Sequence, residues 1–151
     1  MLDPGAIFNI VFSMNQRFNI NKSSNASASE KKTKILVVDD SITTRTLEVN
    51  ILNANGYDAD GAVNGKVAWE KIRHTKYDAI ITDVEMPIMD GYELTKMIKS
   101  DKKLGVIPVI MISSNEGDEF KEKGVDVGVD LYIVKKHFDS TSLSDALNKV
   151  V

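Results

Sequence analysis

Two apolar runs that end abruptly in acid constrain this chain more than any other feature. Ile35-Leu36-Val37-Val38 closes on Asp39 and Asp40, and Ala79-Ile80-Ile81-Thr82 closes on Asp83. Runs of β-branched and aliphatic residues without polar alternation predict strands buried on both faces, as in a parallel sheet covered by helices. In open α/β sheets, ligands bind in the crevice outside the C-terminal ends of the strands. Carboxylates crowded there repel one another, and a hard cation with oxygen ligands relieves the repulsion. The pattern predicts Mg²⁺ held beside a reactive carboxylate.

From Lys34 onward, strand-like runs at 34–39, 58–63, 78–82, 107–112 and 130–134 alternate with helical patterns at 42–55, 65–74, 91–100, 116–126 and 140–150. Such alternation predicts an α/β fold with a doubly wound, five-stranded parallel sheet. Asn55-Gly56 and Gly128 suit the left-handed closure of a helix, and Asn64 and Asp139 or Ser140 suit the cap of the next. In the last helix Leu143, Ala146, Leu147 and Val150 make one apolar stripe. The fourth helix is the weakest, because Gly124 costs about 1 kcal/mol relative to Ala and Val125, Val127 and Val129 crowd its end. It is expected to be short, mobile or partly unwound. Ahead of Lys34, the small polar residues Ser23 to Lys32 have the composition of a flexible linker. The expected organisation is an N-terminal extension over 1–22, a linker over 23–33 and a folded domain over 34–151.

With 42% hydrophobic residues the chain can bury a core, and its net charge of −3 comes from 22 acids spread among 19 bases. No basic stripe is present that could track a phosphate backbone, which argues against direct nucleic-acid binding. The absence of cysteine excludes disulfides and thiolate chemistry. His74 and His137 are too far apart for zinc spacing. Ile7-Phe8 and Ile10-Val11-Phe12, interrupted by Asn9, fall far short of the roughly 20 apolar residues that span a bilayer. A signal peptide would need a cationic start, yet Asp3 precedes the first base, Arg17, even though Ala26-Ser27-Ala28 resembles a cleavage site. The expected location is cytoplasmic, without membrane insertion.

In order, the strand ends supply Asp39 and Asp40, then Asp83, then Ser113 and Ser114, then Lys135. Together these can transfer a phosphoryl group: carboxylates for a metal and for attack, a hydroxyl for a phosphoryl oxygen, an ammonium for developing charge. Singly, each has an ordinary reading. Asp39, Asp40 or Ser41 can cap a helix, Asp83 can be a strand-end acid, Lys135 a solvated charge and Tyr132 a strand aromatic.

The stretches Ile35 to Ser41, Thr82-Asp83-Val84-Glu85-Met86-Pro87-Ile88-Met89-Asp90-Gly91, Pro108 to Ser114 and Tyr132-Ile133-Val134-Lys135 resemble the receiver domains of two-component response regulators, the CheY-like fold. That resemblance implies a flavodoxin-like strand order 2-1-3-4-5. It implies Asp83 as phosphoacceptor, Asp40 as a direct Mg²⁺ ligand, Asp39 acting through water or by supporting Asp40, and the Glu85 backbone carbonyl in the metal shell. Lys135 would pair with Asp83 and then with the phosphoryl group. Ser113 would move to that group and Tyr132 would turn into the space it leaves, switching the face made by the fourth helix, fifth strand and fifth helix. Glu85 and Asn115 would set the phosphoryl lifetime. The implied partners are a histidine kinase phosphodonor domain and other signalling proteins. One departure is Lys136, where the family usually has a cis proline. A cis bond before a non-proline residue costs about 2.5–4 kcal/mol, so the 135–139 loop is expected to be trans or irregular.

Asp40 to Glu48 and the proline-less Tyr132 to Asp139 look, more narrowly, like receivers fused to the C-terminus of chemotaxis-type (CheA) hybrid histidine kinases. Leu2 to Phe8 is similar to the end of a CheW-like coupling domain. The receiver would catalyse its own phosphorylation and dephosphorylation without being a stand-alone enzyme, whereas the parent chain would be a kinase. An alternative is a phosphorylation-independent docking module with the same fold, supported by the missing proline. A haloacid-dehalogenase-type phosphatase would need an acid/base Asp where Glu85 stands, and a flavodoxin phosphate would be repelled by Asp39 and Asp40.

Overall fold

The computed structural model describes residues 31–135 and 142–151. The expectations for residues 1–30, Lys136, His137, the rest of the 135–139 loop and the Asp139/Ser140 cap lie outside them. The elements are β1 (Lys34–Val38), α1 (Ile42–Ala54), β2 (Asp58–Ala62), α2 (Gly65–His74), β3 (Ala79–Asp83), α3 (Gly91–Ser100), β4 (Val109–Ser113), α4 (Asp118–Val127), β5 (Leu131–Val134) and α5 (Ser142–Val150), with a 3₁₀ turn at Leu104–Val106. All pairings are parallel and the order is β2-β1-β3-β4-β5, the doubly wound flavodoxin-like sheet expected from the sequence.

Alternation along the strands divides the core into two layers. Ile35, Val37, Ala79, Ile81, Ile110 and Ile112 face Ile51 and Leu52 of α1 and Leu143, Ala146 and Leu147 of α5. Leu36, Val38, Ile80 and Val109 face α2 and α3, and Met111 joins Val84, Tyr92 and Tyr132 in a smaller cluster toward α4. The central strands β1, β3 and β4 are almost wholly buried, which is why their sequences are unbroken apolar runs, while edge strand β2 reads Asp-Ala-Asp-Gly-Ala.

The caps follow their local chemistry. Asn64 accepts a hydrogen bond from Val67 N at 2.9 Å to start α2, and Gly128, at φ 94°, closes α4 in the left-handed region. The expected weakness of α4 takes a different form. The helix is short at ten residues, but it is continuous to Val127 rather than partly unwound. Gly124 is buried there, and a Cβ at that position would stand 3.1 Å from the Tyr132 ring. The glycine is a close-packing site, so its poor propensity is offset by tertiary contact. Among the described residues, no helix is long and apolar enough to cross a membrane.

Candidate functional site

Asp39 continues the inward row of Ile35 and Val37, Asp83 that of Ala79 and Ile81, and Lys135 that of Leu131 and Ile133. One face of the sheet thus turns from apolar to charged at its C-terminal edge. Carboxylate oxygens of Asp39, Asp40 and Asp83 all lie within 4.8 Å of one another. Lys135 Nζ stands 3.5 Å from Asp83 Oδ2. Asp83 Oδ1 accepts from Val84 N at 2.9 Å, which fixes the carboxylate's orientation.

Local turns hold these groups in place. Asp39 Oδ1 accepts from Ser41 N at 2.8 Å, and the Asp39 carbonyl accepts from Arg45 Nη1 at 2.7 Å. Ser41 itself caps α1, accepting from Thr44 N at 3.3 Å. The capping role therefore falls to Ser41, which leaves Asp40 exposed at the crevice. After β3 the chain turns through Val84 to Asp90, with Ile88 at φ 73°, a costly conformation for a β-branched residue. Asp90 caps α3 by accepting from Glu93 N at 2.8 Å, and Gly91 N donates to Val84 O at 2.8 Å. A Cβ on Gly91 would collide with the Asp83 carbonyl oxygen. Only glycine lets α3 start so close to the acid.

Burial pushes the Asp83 carboxyl up to about 6, opposed by Lys135 and reinforced by Asp39. Asp39 is likewise raised, chiefly by burial. Three carboxylates drawn together, with Lys135 the ammonium beside them among the described residues, are an arrangement that a hard cation stabilises, and the all-oxygen donor set fits Mg²⁺.

The remaining expected residues form a second group. Ser113 is buried in the row of Val109 and Met111, on the opposite face from Asp83. Its Oγ accepts from Asn115 N at 3.0 Å. Tyr132 O–H donates to the Asn115 carbonyl at 2.9 Å, and Asn115 Nδ2 donates to Glu85 Oε1 at 2.9 Å. Asn115 therefore ties the loop after β4 to Tyr132 and to Glu85 at once. A cleft of about 540 Å³, with Asp40, Glu85, Met86, Tyr92 and Asn115 in its wall, opens beside these groups. Sequence reasoning missed Glu48, which is 4% exposed although it lies on a helix. Its spacing of three and four residues before Ile51 and Leu52 puts it on the apolar stripe, which was the available signal.

Comparison with known proteins agrees with this geometry. Residues 35–148 match the family model for the response regulator receiver domain. The chain is 37% identical over 120 residues to the gliding motility regulatory protein of Myxococcus xanthus, covering 80% of this chain but only 15% of that one. It is 41% identical over 104 residues to the chemotaxis protein CheY1 of Helicobacter pylori, covering 68% of this chain and 84% of that one. The crystal structure of the response regulator TrrA from Thermotoga maritima, in complex with Mg²⁺-BeF, superposes with a TM-score of 0.70 at 31% identity, covering 80% of this chain and all of that one.

Proposed function

The chain belongs to the response regulator receiver family, and we propose that it accepts a phosphoryl group on Asp83 from a phosphohistidine of a kinase. The convergence of Asp39, Asp40 and Asp83 with Lys135, 3.5 Å from the Asp83 carboxylate, carries this reading. An Asp83 carboxylate oxygen attacks phosphorus, the donor P–N bond breaks, and the imidazole nitrogen leaves with the bonding pair. Ionised Asp83 is the nucleophile, and a carboxyl raised only to about 6 is mostly ionised near neutral pH. Lys135 moves from the carboxylate to the charge gathering on the phosphoryl oxygens, and Ser113 Oγ exchanges its contact with Asn115 N for one of those oxygens.

Asp40, Asp83 and the Glu85 carbonyl would hold Mg²⁺, with Asp39 supporting Asp40. When bound, the ion supplies neutralisation of phosphoryl charge during in-line transfer. Release of Ser113 frees the loop at Asn115, and with it Tyr132, so the α4-β5-α5 face changes and partner proteins read the change. The same reading takes residues 1–22 as the tail of an upstream domain and 23–33 as a linker within a chemotaxis-type kinase, supported by the resemblance of the Asp40–Glu48 and Tyr132–Asp139 stretches. On it the protein acts in the cytoplasm.

The test is intact mass after incubation with Mg²⁺ and a small acyl phosphate, wild type against Asp83→Asn. One phosphoryl adduct that needs Mg²⁺ and disappears in the variant is expected. No adduct from the acyl phosphate or from a phosphohistidine domain would favour the phosphorylation-independent docking module instead.

A further inference from the structure

Ile88 combines two features that each cost the folded chain. It is a large apolar residue left 75% exposed, and its backbone sits at φ 73°. Met89 N donates to the Pro87 carbonyl at 2.8 Å, so Pro87, Ile88 and Met89 close a three-residue turn with positive φ at its centre, the rare and strained form of the γ-turn. A β-branched side chain fits that conformation poorly. The turn persists because the loop is fixed around it. Gly91 N donates to Val84 O at 2.8 Å, Gly65 N at the start of α2 donates to Met89 O at 3.1 Å, and Asp90 caps α3. An isoleucine that is neither packed nor relaxed adds nothing to the fold.

The turn belongs to an apolar rim on one side of the crevice. Val63 and Val67, both exposed, flank Gly65, whose N–H is bonded to Met89. Exposed Ile42 opens α1 just beyond Asp39, and Asp39 N is bonded to Ala62 O, next to Val63. What covers this rim follows from the reaction. A phosphoryl group carried on a protein reaches Asp83 only when the imidazole holding it enters the crevice. The donor's surface around that histidine then lies on the C-terminal edge of the sheet, where the rim stands.

We propose that Ile88, with Val63 and Val67 beside it, is the apolar seat on which a phosphohistidine-bearing domain docks, and that this contact discriminates among protein donors. The inference rests on the phosphoacceptor reading and names the partner surface of that site. The donor it fits presents uncharged, apolar side chains next to its histidine, since a charge set against the rim would lose water without gaining a partner. The turn is already fixed, so little ordering accompanies contact. A small donor needs only the crevice and is indifferent to the rim.

The experiment labels the full chain, as wild type, Ile88→Gly, Ile88→Asn and Val67→Asn, from two donors that break the same P–N bond. One is phosphoimidazole, which has no surface to dock. The other is the phosphorylated histidine domain of a chemotaxis-type kinase. Gly and Asn both accept a positive φ, so the two Ile88 variants are expected to unfold in urea at or above the wild-type midpoint. With phosphoimidazole and Mg²⁺ every variant is expected to label within about twofold of wild type, because no group at the reacting atoms has changed. With the histidine domain at low concentration, Ile88→Asn is expected to label about tenfold more slowly, the scale of one lost anchor in an interface. Saturating donor should restore the wild-type rate, since the loss lies in half-saturation and not in turnover. Val67→Asn, outside the turn, is expected to behave in the same way and decides the matter should the turn variants not fold. Equal slowing with both donors, or an Ile88→Asn variant that the domain labels as fast as wild type, overturns the inference. A wild type labelled by phosphoimidazole but not by the domain overturns it as well. So does a wild-type dimer, read by sedimentation, that Ile88→Asn disperses, which would assign the rim to a second copy. Failure of phosphoimidazole to label wild type would instead overturn the phosphoacceptor reading.

Discussion

Asn115 Nδ2 donates to Glu85 Oε1 at 2.9 Å, so one side-chain hydrogen bond spans the crevice between the loops that follow β3 and β4. Both side chains line the cleft that also holds Asp40. Glu85→Ala and Asn115→Ala are each expected to shorten the phosphoryl half-life about two- to fivefold, the effect of one hydrogen bond worth roughly 0.5–1 kcal/mol. Because both remove the same bond, the double variant should lose no more than either single one. Phosphoprotein decay followed by mass spectrometry checks this, and additive effects would show that the two side chains act separately.

Lys135→Ala removes the cation that holds the Asp83 carboxyl down against burial and Asp39. The Asp83 titration midpoint should then rise above about 6 in metal-free protein, as read from its carboxyl carbon resonance. Adduct formation should fall by at least about tenfold, since a group aimed at transition-state charge is lost. An unchanged midpoint would mean that Lys135 and Asp83 do not interact in solution.

Gly91→Ala sets a methyl group against the Asp83 carbonyl oxygen, backbone that cannot turn away. The variant should lose roughly 1–3 kcal/mol of stability, the cost of overpacking, and should accept phosphate more slowly because the strand end is displaced. Urea unfolding paired with adduct rates tests both effects. Gly105→Ala, 3.1 Å from the Lys99 carbonyl and far from the acids, is the control for stability alone.

Stability should depend on pH through Glu48. Its folded carboxyl sits at about 8 against an ordinary value of 4.5, so between those values the folded chain keeps a proton that the unfolded chain releases. That contribution is full below the ordinary carboxylate range and declines as pH rises to about 8, with a limiting slope on the order of 1 kcal/mol per pH unit. Asp83, raised to about 6, contributes with the same sign over the lower part of the range. In metal-free urea titrations, Glu48→Gln should therefore gain on wild type steadily from about pH 5 to about pH 8. A constant difference across that span would contradict the neutral buried carboxyl.

Much of this was legible in the chain because the sheet is parallel and covered on both faces. Ile35 to Val38 and Ala79 to Thr82 had to be continuous apolar runs, and the acids that end them had to stand at one edge. Lys135 was legible as the base that follows the last strand-like run, and the structure adds that it continues the row of Leu131 and Ile133. What stayed hidden depended on contacts between elements. Gly124 reads as a helix breaker until the Tyr132 ring is found against it. Glu48 reads as a surface charge until Ile51 and Leu52 show which way its stripe faces. Ile88 carries no sign of a left-handed backbone, which arises from the short path between Asp83 and the cap at Asp90.

The alternation that places Asp83 and Lys135 on one face of the sheet and Ser113 and Tyr132 on the other makes the sheet a partition one residue thick. Asp83 and Lys135 stand on one side, while Ser113, which in the proposed transfer reaches the phosphoryl group round the strand edge, is tied to Tyr132 on the other through Asn115. Substitutions at Tyr132 can retune what is recognised without removing a partner of the Asp83–Lys135 ion pair behind it. Such a wall lets one chemistry serve many listeners.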